Sequence, residues 1–112
     1  MKPMGAVPPG FSANAQGRLA IGGHDIEALI GRAGDTPLFV YDMALIAAKF
    51  ASLRAALPVQ VGIHYAIKAN PMPALVSAMV DLVDGLDVAS EGEMHIAIAA
   101  GASHISFAGP GK

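Results

Sequence analysis

The chain has 112 residues, which fits one small domain and falls well short of the roughly 250 residues of a complete (β/α)₈ barrel. Hydrophobic residues make up 54% and charged residues 14%, so the polar surface is thin, and part of the apolar surface is expected to pack against further chain. A net charge of -2 with no Lys/Arg cluster argues against a nucleic-acid partner, and the absence of cysteine excludes both a disulfide framework and a thiolate metal site.

Residues 1–16 read as a mobile leader, because prolines and glycines interrupt the unbroken apolar segment that a secretory signal needs. No stretch reaches the ~18 consecutive apolar residues of a membrane span, so no membrane partner and a cytoplasmic location are expected. Residues 18–21 form a candidate strand, Gly22-Gly23 a turn, and residues 24–33 a short helix stopped by Gly34. Asp35-Thr36-Pro37 then turns the chain into an extended run, Leu38-Phe39-Val40-Tyr41. Asp42 is a candidate N-cap for a helix over residues 43–56, with Leu45, Ile46, Phe50, Leu53 and Leu57 on one face and Pro58 beyond its end.

From this point strands and helices alternate. Residues 59–67 read as a strand, 71–83 as a helix, 86–89 as a strand, 91–100 as a helix and 104–108 as a strand. Asn70-Pro71 offers an N-cap followed by proline at the first helical position, where its missing N–H costs nothing. Leu75, Val76, Met79, Val80 and Val83 make the buried stripe of that helix. Ser90-Glu91-Gly92-Glu93 fits a capping box in which Ser90 and Glu93 satisfy each other's backbone donors, and Gly101 ends the last helix. Helices joined to strands by very short loops imply right-handed βαβ crossovers and a parallel sheet.

Alternation along the strands sorts the side chains. Val61, Ile63, Tyr65 and Ile67 share one face, while Gly62, His64, Ala66 and Lys68 share the other. Leu86 and Val88 oppose Asp87 and Ala89, and Ile105 and Phe107 oppose His104, Ser106 and Ala108. Each strand thus has one apolar and one small or polar face. A doubly covered open sheet would be apolar on both, so the pattern favours an α/β architecture of the (β/α)₈ type, here in part, with a polar site at the C-terminal rim. Lys68 at such a rim can form a Schiff base with an aldehyde once its amine is deprotonated, and burial would help. Ala66 and Ala89 leave room for a ring, and Asp87 on the next strand could hydrogen-bond to Lys68 and orient it. The plainer alternative is a strand-end lysine reaching for solvent, with Asp87 solvated beside it.

Tyr65-Ala66-Ile67-Lys68-Ala69-Asn70-Pro71-Met72-Pro73 resembles the Tyr-Ala-x-Lys-Ala-Asn segment of the diaminopimelate and ornithine decarboxylase family, a fold-type III group dependent on pyridoxal 5′-phosphate (PLP). The likeness continues through Thr36-Pro37-Leu38-Phe39-Val40-Tyr41-Asp42, through Gly85-Leu86-Asp87-Val88-Ala89-Ser90-Glu91-Gly92-Glu93, and through Ile105-Ser106-Phe107-Ala108-Gly109-Pro110-Gly111-Lys112. Within the family it is most similar to the decarboxylases associated with the exosortase A system.

The resemblance implies that Lys68 carries PLP, that Asp87 and Ala66 lie against the cofactor, and that Tyr65 and Asn70 frame the lysine. It implies an alanine racemase-like PLP-binding barrel plus a β-rich domain built from both chain ends. Residues 17–42 then belong to that β domain and a linker, and residues 43–112 to the first βα units of the barrel. A small amino-acid substrate and a homodimer follow for the full-length protein. The family's phosphate cradle and partner-subunit cysteine have no counterpart in these residues. A truncated, catalytically incompetent piece is therefore one alternative, and a racemase-like or PLP-homeostasis barrel another, although racemases resemble Lys-Ala-Asn-Ala-Tyr-Gly where Pro71-Met72-Pro73 stands here. A nucleotide loop at Gly109-Pro110-Gly111-Lys112 would need glycine at position 106, which is Ser106. His64, His95 and His104 have no metal-ligand spacing, and no metal is expected; His64 is placed in the lumen, His95 on a helix surface and His104 at a strand start.

Overall fold

The computed structural model describes residues 8–110, which divide into two compact units at the boundary between Ala48 and Lys49. Residues 1–7 of the expected leader and the last two residues of the Gly-Pro-Gly-Lys block lie outside the described residues.

In the first unit, β1 (Phe11–Ala13), β2 (Leu19–Ile21) and β3 (His24–Asp25) form an antiparallel sheet in chain order. Pairing runs Phe11 to Ile21 and Ile21 to His24. The leader reading is corrected for β1. Its hairpin is closed by Asn14, whose Oδ1 accepts from the N–H groups of Gln16 and Arg18 at 3.0 and 2.9 Å, a local side-chain-to-backbone device that hydrophobic periodicity does not register. The expected turn at Gly22-Gly23 is present, and both residues have positive φ (59° and 79°), as a two-residue hairpin that matches strand twist requires.

The helix expected from residue 24 begins later, as α1 (Ile26–Ala33), because His24 and Asp25 pair with β2. Asp25 caps it by accepting from Glu27 N–H at 2.8 Å, and Gly34 ends it at φ 94°. Residues 38–41 run extended without a ladder partner among the described residues. Asp42 then caps α2 (Met43–Ala56) by accepting from Ala44 N–H at 2.9 Å, as the sequence predicts. No residue of α2 is buried.

The second unit holds the alternating pattern. Its strands β4 (His64–Ala66), β5 (Gly85–Val88) and β6 (Ile105–Phe107) are parallel and adjacent in chain order, with α3 (Pro73–Val80) and α4 (Glu91–Ala99) as crossovers. Register sets Tyr65 beside Leu86 and Leu86 beside Ile105, so the apolar face runs across all three strands. Ile67, Val76, Leu86, Val88 and Ala97 form the core on that face, each no more than 1% exposed. Burial of this cluster is the main favourable term holding the helices to the sheet.

Several boundaries differ from expectation, among them the end of α3, at Val80 rather than residue 83. The first parallel strand is shorter than residues 59–67, since the chain enters it only after a loop pinned by Asp84, whose Oδ2 accepts from Ile63 N–H at 2.7 Å and from Arg54 Nη2 at 2.5 Å. Residues 67–69 form a single 3₁₀ turn. Finally α3 starts at Pro73: Asn70 Oδ1 accepts from Met72 N–H at 3.1 Å in a turn of its own, and Pro73, not Pro71, takes the early helical position. No helix of the described residues is long and apolar enough to cross a membrane.

Candidate functional site

The face of the second unit's sheet opposite the core carries His64, Ala66, Gly85, Asp87 and Ser106, in rows set by the register Ala66 to Asp87 to Ser106. At the C-terminal ends of the strands, Ala66, Lys68, Asp87, Val88, Ala89, Glu93 and Ala108 line an open cleft. The structure therefore brings together the three site residues expected from sequence. Lys68 stands on the 3₁₀ turn just past β4, one step beyond the strand end assumed from alternation. It is exposed rather than buried, and makes no ion pair among the described residues.

The frame around Lys68 is local. Tyr65 donates its hydroxyl to the carbonyl of Asn70 at 2.9 Å, and Asn70 N–H bonds to the carbonyl of Ile67 at 3.1 Å. These two bonds close the 65–70 segment on itself and fix where the lysine leaves the backbone. Ile67, fully buried, anchors the same turn from below.

Asp87 corrects one expectation. It does not hydrogen-bond to Lys68; its Oδ1 accepts from the Ser106 hydroxyl and lies 3.4 Å from His64 Nδ1. Its pKa is lowered, first by the Ser106 hydrogen bond, which desolvation opposes, and then by the His64 hydrogen bond and charge; Lys68 contributes through its charge alone. Alternation along the strands already put His64 and Ser106 on this face, but nothing in the sequence paired them with Asp87.

Glu93 is the site residue that sequence reasoning assigned to helix-start structure. Half of the expected capping box is present, because Ser90 Oγ accepts from Glu93 N–H at 3.2 Å. The reciprocal half is not made. Glu93 Oε1 is buried without a hydrogen-bond partner among the described residues, and it lines the cleft with Lys68. An orphaned buried acceptor costs about 1–3 kcal/mol, an expense that a bound donor would remove. The one sequence signal for it was spacing, which puts position 93 in the first turn of a helix that starts at the strand's C-terminal rim.

Other expectations fall outside the cleft. His95 is on the surface of α4, 4.0 Å from Glu91, and His104 precedes β6 with its Nδ1 3.2 Å from Ser103 Oγ. His64 lies on the polar face of the sheet. Among the described residues no group of three or more His, Cys, Asp or Glu side chains could hold a metal ion.

Comparison with known proteins gives a consistent result. The pyridoxal binding domain of pyridoxal-dependent decarboxylases matches residues 43–112. Diaminopimelate decarboxylase of Bacillus subtilis is 42% identical over 106 residues, covering 88% of this chain and 24% of that protein. Diaminopimelate decarboxylase of Aquifex aeolicus is 40% identical over 98 residues, covering 86% and 23%. The 2-[(L-alanin-3-ylcarbamoyl)methyl]-2-hydroxybutanedioate decarboxylase of Staphylococcus aureus is 32% identical over 88 residues, covering 78% and 22%. The chain thus spans about a quarter of the length of the curated relatives it matches. No solved structure matches it.

Proposed function

Since this chain belongs to the pyridoxal-dependent decarboxylase family, we propose that it forms part of an amino-acid decarboxylase in which Lys68 carries pyridoxal 5′-phosphate. The observation that carries this reading is the placement of Lys68: an amine past the C-terminal end of a parallel strand, in a cleft that also holds a buried Glu93 carboxylate oxygen, neither with a hydrogen-bond partner among the described residues. The residues present fit the cofactor. Ala66, Ala89 and Ala108 give the ring a wall without side-chain bulk, and Glu93 Oε1 is an acceptor waiting for a donor. Gly109 adds a close approach, since at φ 135° a side chain there would be strained and would meet Ala89 Cβ and O at 3.3 Å.

When bound, the cofactor supplies a sink for the electron pair left at the α-carbon as the carboxylate departs as carbon dioxide. The chain's own residues prepare that step. Lys68 would hold the cofactor through its Nζ, and the 65–70 turn fixes where that side chain leaves the backbone. Asp87, held ionised chiefly by the Ser106 hydrogen bond, brings a carboxylate charge to the cleft that Lys68 lines. The substrate class proposed is a small α-amino acid. Residues 43–112 are taken as the opening βα units of a (β/α)₈ barrel and residues 17–42 as part of an adjoining β domain, in a cytoplasmic homodimer. The sequential, all-parallel order β4-β5-β6 supports the barrel.

The test is covalent trapping. The full chain is incubated with PLP, reduced with borohydride and digested, and the peptide containing Lys68 is expected to carry the pyridoxyl group. A Lys68→Ala variant is expected to lose that label. Folded, cofactor-treated protein with an unmodified Lys68 overturns the assignment.

A further inference from the structure

Three side chains from three strands meet on the polar face of the second unit's sheet, and the reaction as proposed calls on only one of them. His64 Nδ1 lies 3.0 Å from Ser106 Oγ, the Ser106 hydroxyl bonds to Asp87 Oδ1, and His64 Nδ1 is itself 3.4 Å from that oxygen. The direction of each bond follows from chemistry. A carboxylate can only accept, so the hydroxyl donates to Asp87; its oxygen is then left to accept from Nδ1–H. His64 therefore carries a proton on Nδ1.

A second feature holds the imidazole in place. A Cβ at position 85 would lie 2.8 Å from His64 Cε1 and 2.9 Å from Nε2, so the ring lies directly over Gly85 and occupies the space a larger residue would fill. The consequence for Asp87 is a division of labour between its two oxygens. Oδ1 is held by Ser106 and His64, while Oδ2 makes no hydrogen bond among the described residues, and the carboxylate lines the cleft with Lys68 and Ala66.

We propose that His64 and Ser106 are positioning residues that hold Asp87 as an oriented anion beside Lys68, and so set how firmly the lysine nitrogen keeps its proton. The inference rests on the reading of Lys68 as the cofactor lysine. The charged groups facing the relay are Asp87 on β5, Asp84 on the loop before β5, and Lys68 beyond β4; β6 presents Ser106 and, at its approach, the carbonyl of His104 against Gly85. Breaking the relay frees the carboxylate to rotate out of its fixed orientation beside Lys68, which weakens its hold on the nitrogen. Protonation of His64 acts in the same direction, by placing a compensating positive charge next to Asp87.

Two readouts on the full chain test this. In protein without cofactor, ¹⁵N NMR of the histidine rings should show His64 protonated at Nδ1 when neutral, and Ser106→Ala should shift it toward the Nε2–H form while Ser106→Thr, which keeps the hydroxyl, should not. With PLP bound, the pH midpoint of the visible absorbance of the lysine-bound cofactor should fall by about one unit or more in Asp87→Asn, and by part of that in Ser106→Ala, with Ser106→Thr restoring it. A neutral His64 protonated at Nε2 in the parent protein overturns the proposal, as does a midpoint unchanged in Ser106→Ala. A parent protein that forms no visible band at all, with His64 protonated at Nδ1 as expected, instead sinks the Lys68 reading and leaves the hydrogen-bonded relay standing.

Discussion

Arg54 and Asp84 show how much one ion pair organises at the N-terminal ends of the parallel strands. The guanidinium bonds to Asp84 Oδ2 and, through Nη1, to the carbonyl of Val61 at 2.9 Å, while the same carboxylate takes Ile63 N–H; the loop entering β4 is thereby tied to the loop entering β5. The Arg54 hydrogen bond, followed by that of Ile63, lowers the pKa of Asp84 below the usual carboxylate range. A depressed folded-state pKa contributes stability that is present above the unfolded value of about 3.9 and is lost as pH falls through the folded value. Arg54→Ala should therefore begin acid unfolding at a higher pH than the parent, with the two curves converging in strong acid, as followed by circular dichroism. At this scale the sequence was partly legible. Alternation placed Lys68, Asp87 and Ala66 on one face, because period two is a geometric property of strands. It could not name the partner of Asp87, since a carboxylate flanked by a hydroxyl, an imidazole and an amine has three chemically reasonable bonds, and only the register across three strands selects among them.

Elements were read well where capping chemistry is local and less well where tertiary contacts move a boundary. Asp42, Gly34, Ser90 and Gly101 mark helix ends as expected, because each acts through its own backbone neighbours. The start of α3 moved from Pro71 to Pro73, and the first parallel strand gave its end to a 3₁₀ turn, because Asn70 and Tyr65 close a separate turn that hydropathy does not encode. Ser90 supplies the only side-chain cap on α4 among the described residues, so Ser90→Ala should cost about 1 kcal/mol of stability in urea unfolding. Gly101, at φ 81°, follows the same helix in the left-handed region. Gly101→Ala should cost a further ~1–2 kcal/mol by the same assay, and the double variant should be close to additive, because the two residues act at opposite ends of α4.

At the scale of the molecule, the composition already announced a chain with more apolar surface than its own core consumes. The structure shows where that surface lies. The second unit buries one compact cluster on one face of a three-stranded sheet, while Val59 stays 85% exposed, Ile98 61% and Phe107 47%. β4 and β6 are the outer strands of that sheet, and each leaves one side without a ladder partner among the described residues. Phe107 lies on the same face as buried Val88, its partner in register, yet no helix of the described residues follows β6 to cover it. Open parallel edges flanked by apolar side chains favour self-association. Expressed alone, residues 1–112 should sediment as concentration-dependent oligomers, bind a hydrophobic dye and show no decarboxylation. Phe107→Glu should lower both association and dye binding. A monodisperse, dye-silent monomer would mean that the exposed rim of β6 is tolerated in water as it stands and that the apolar surface beyond the core drives no association.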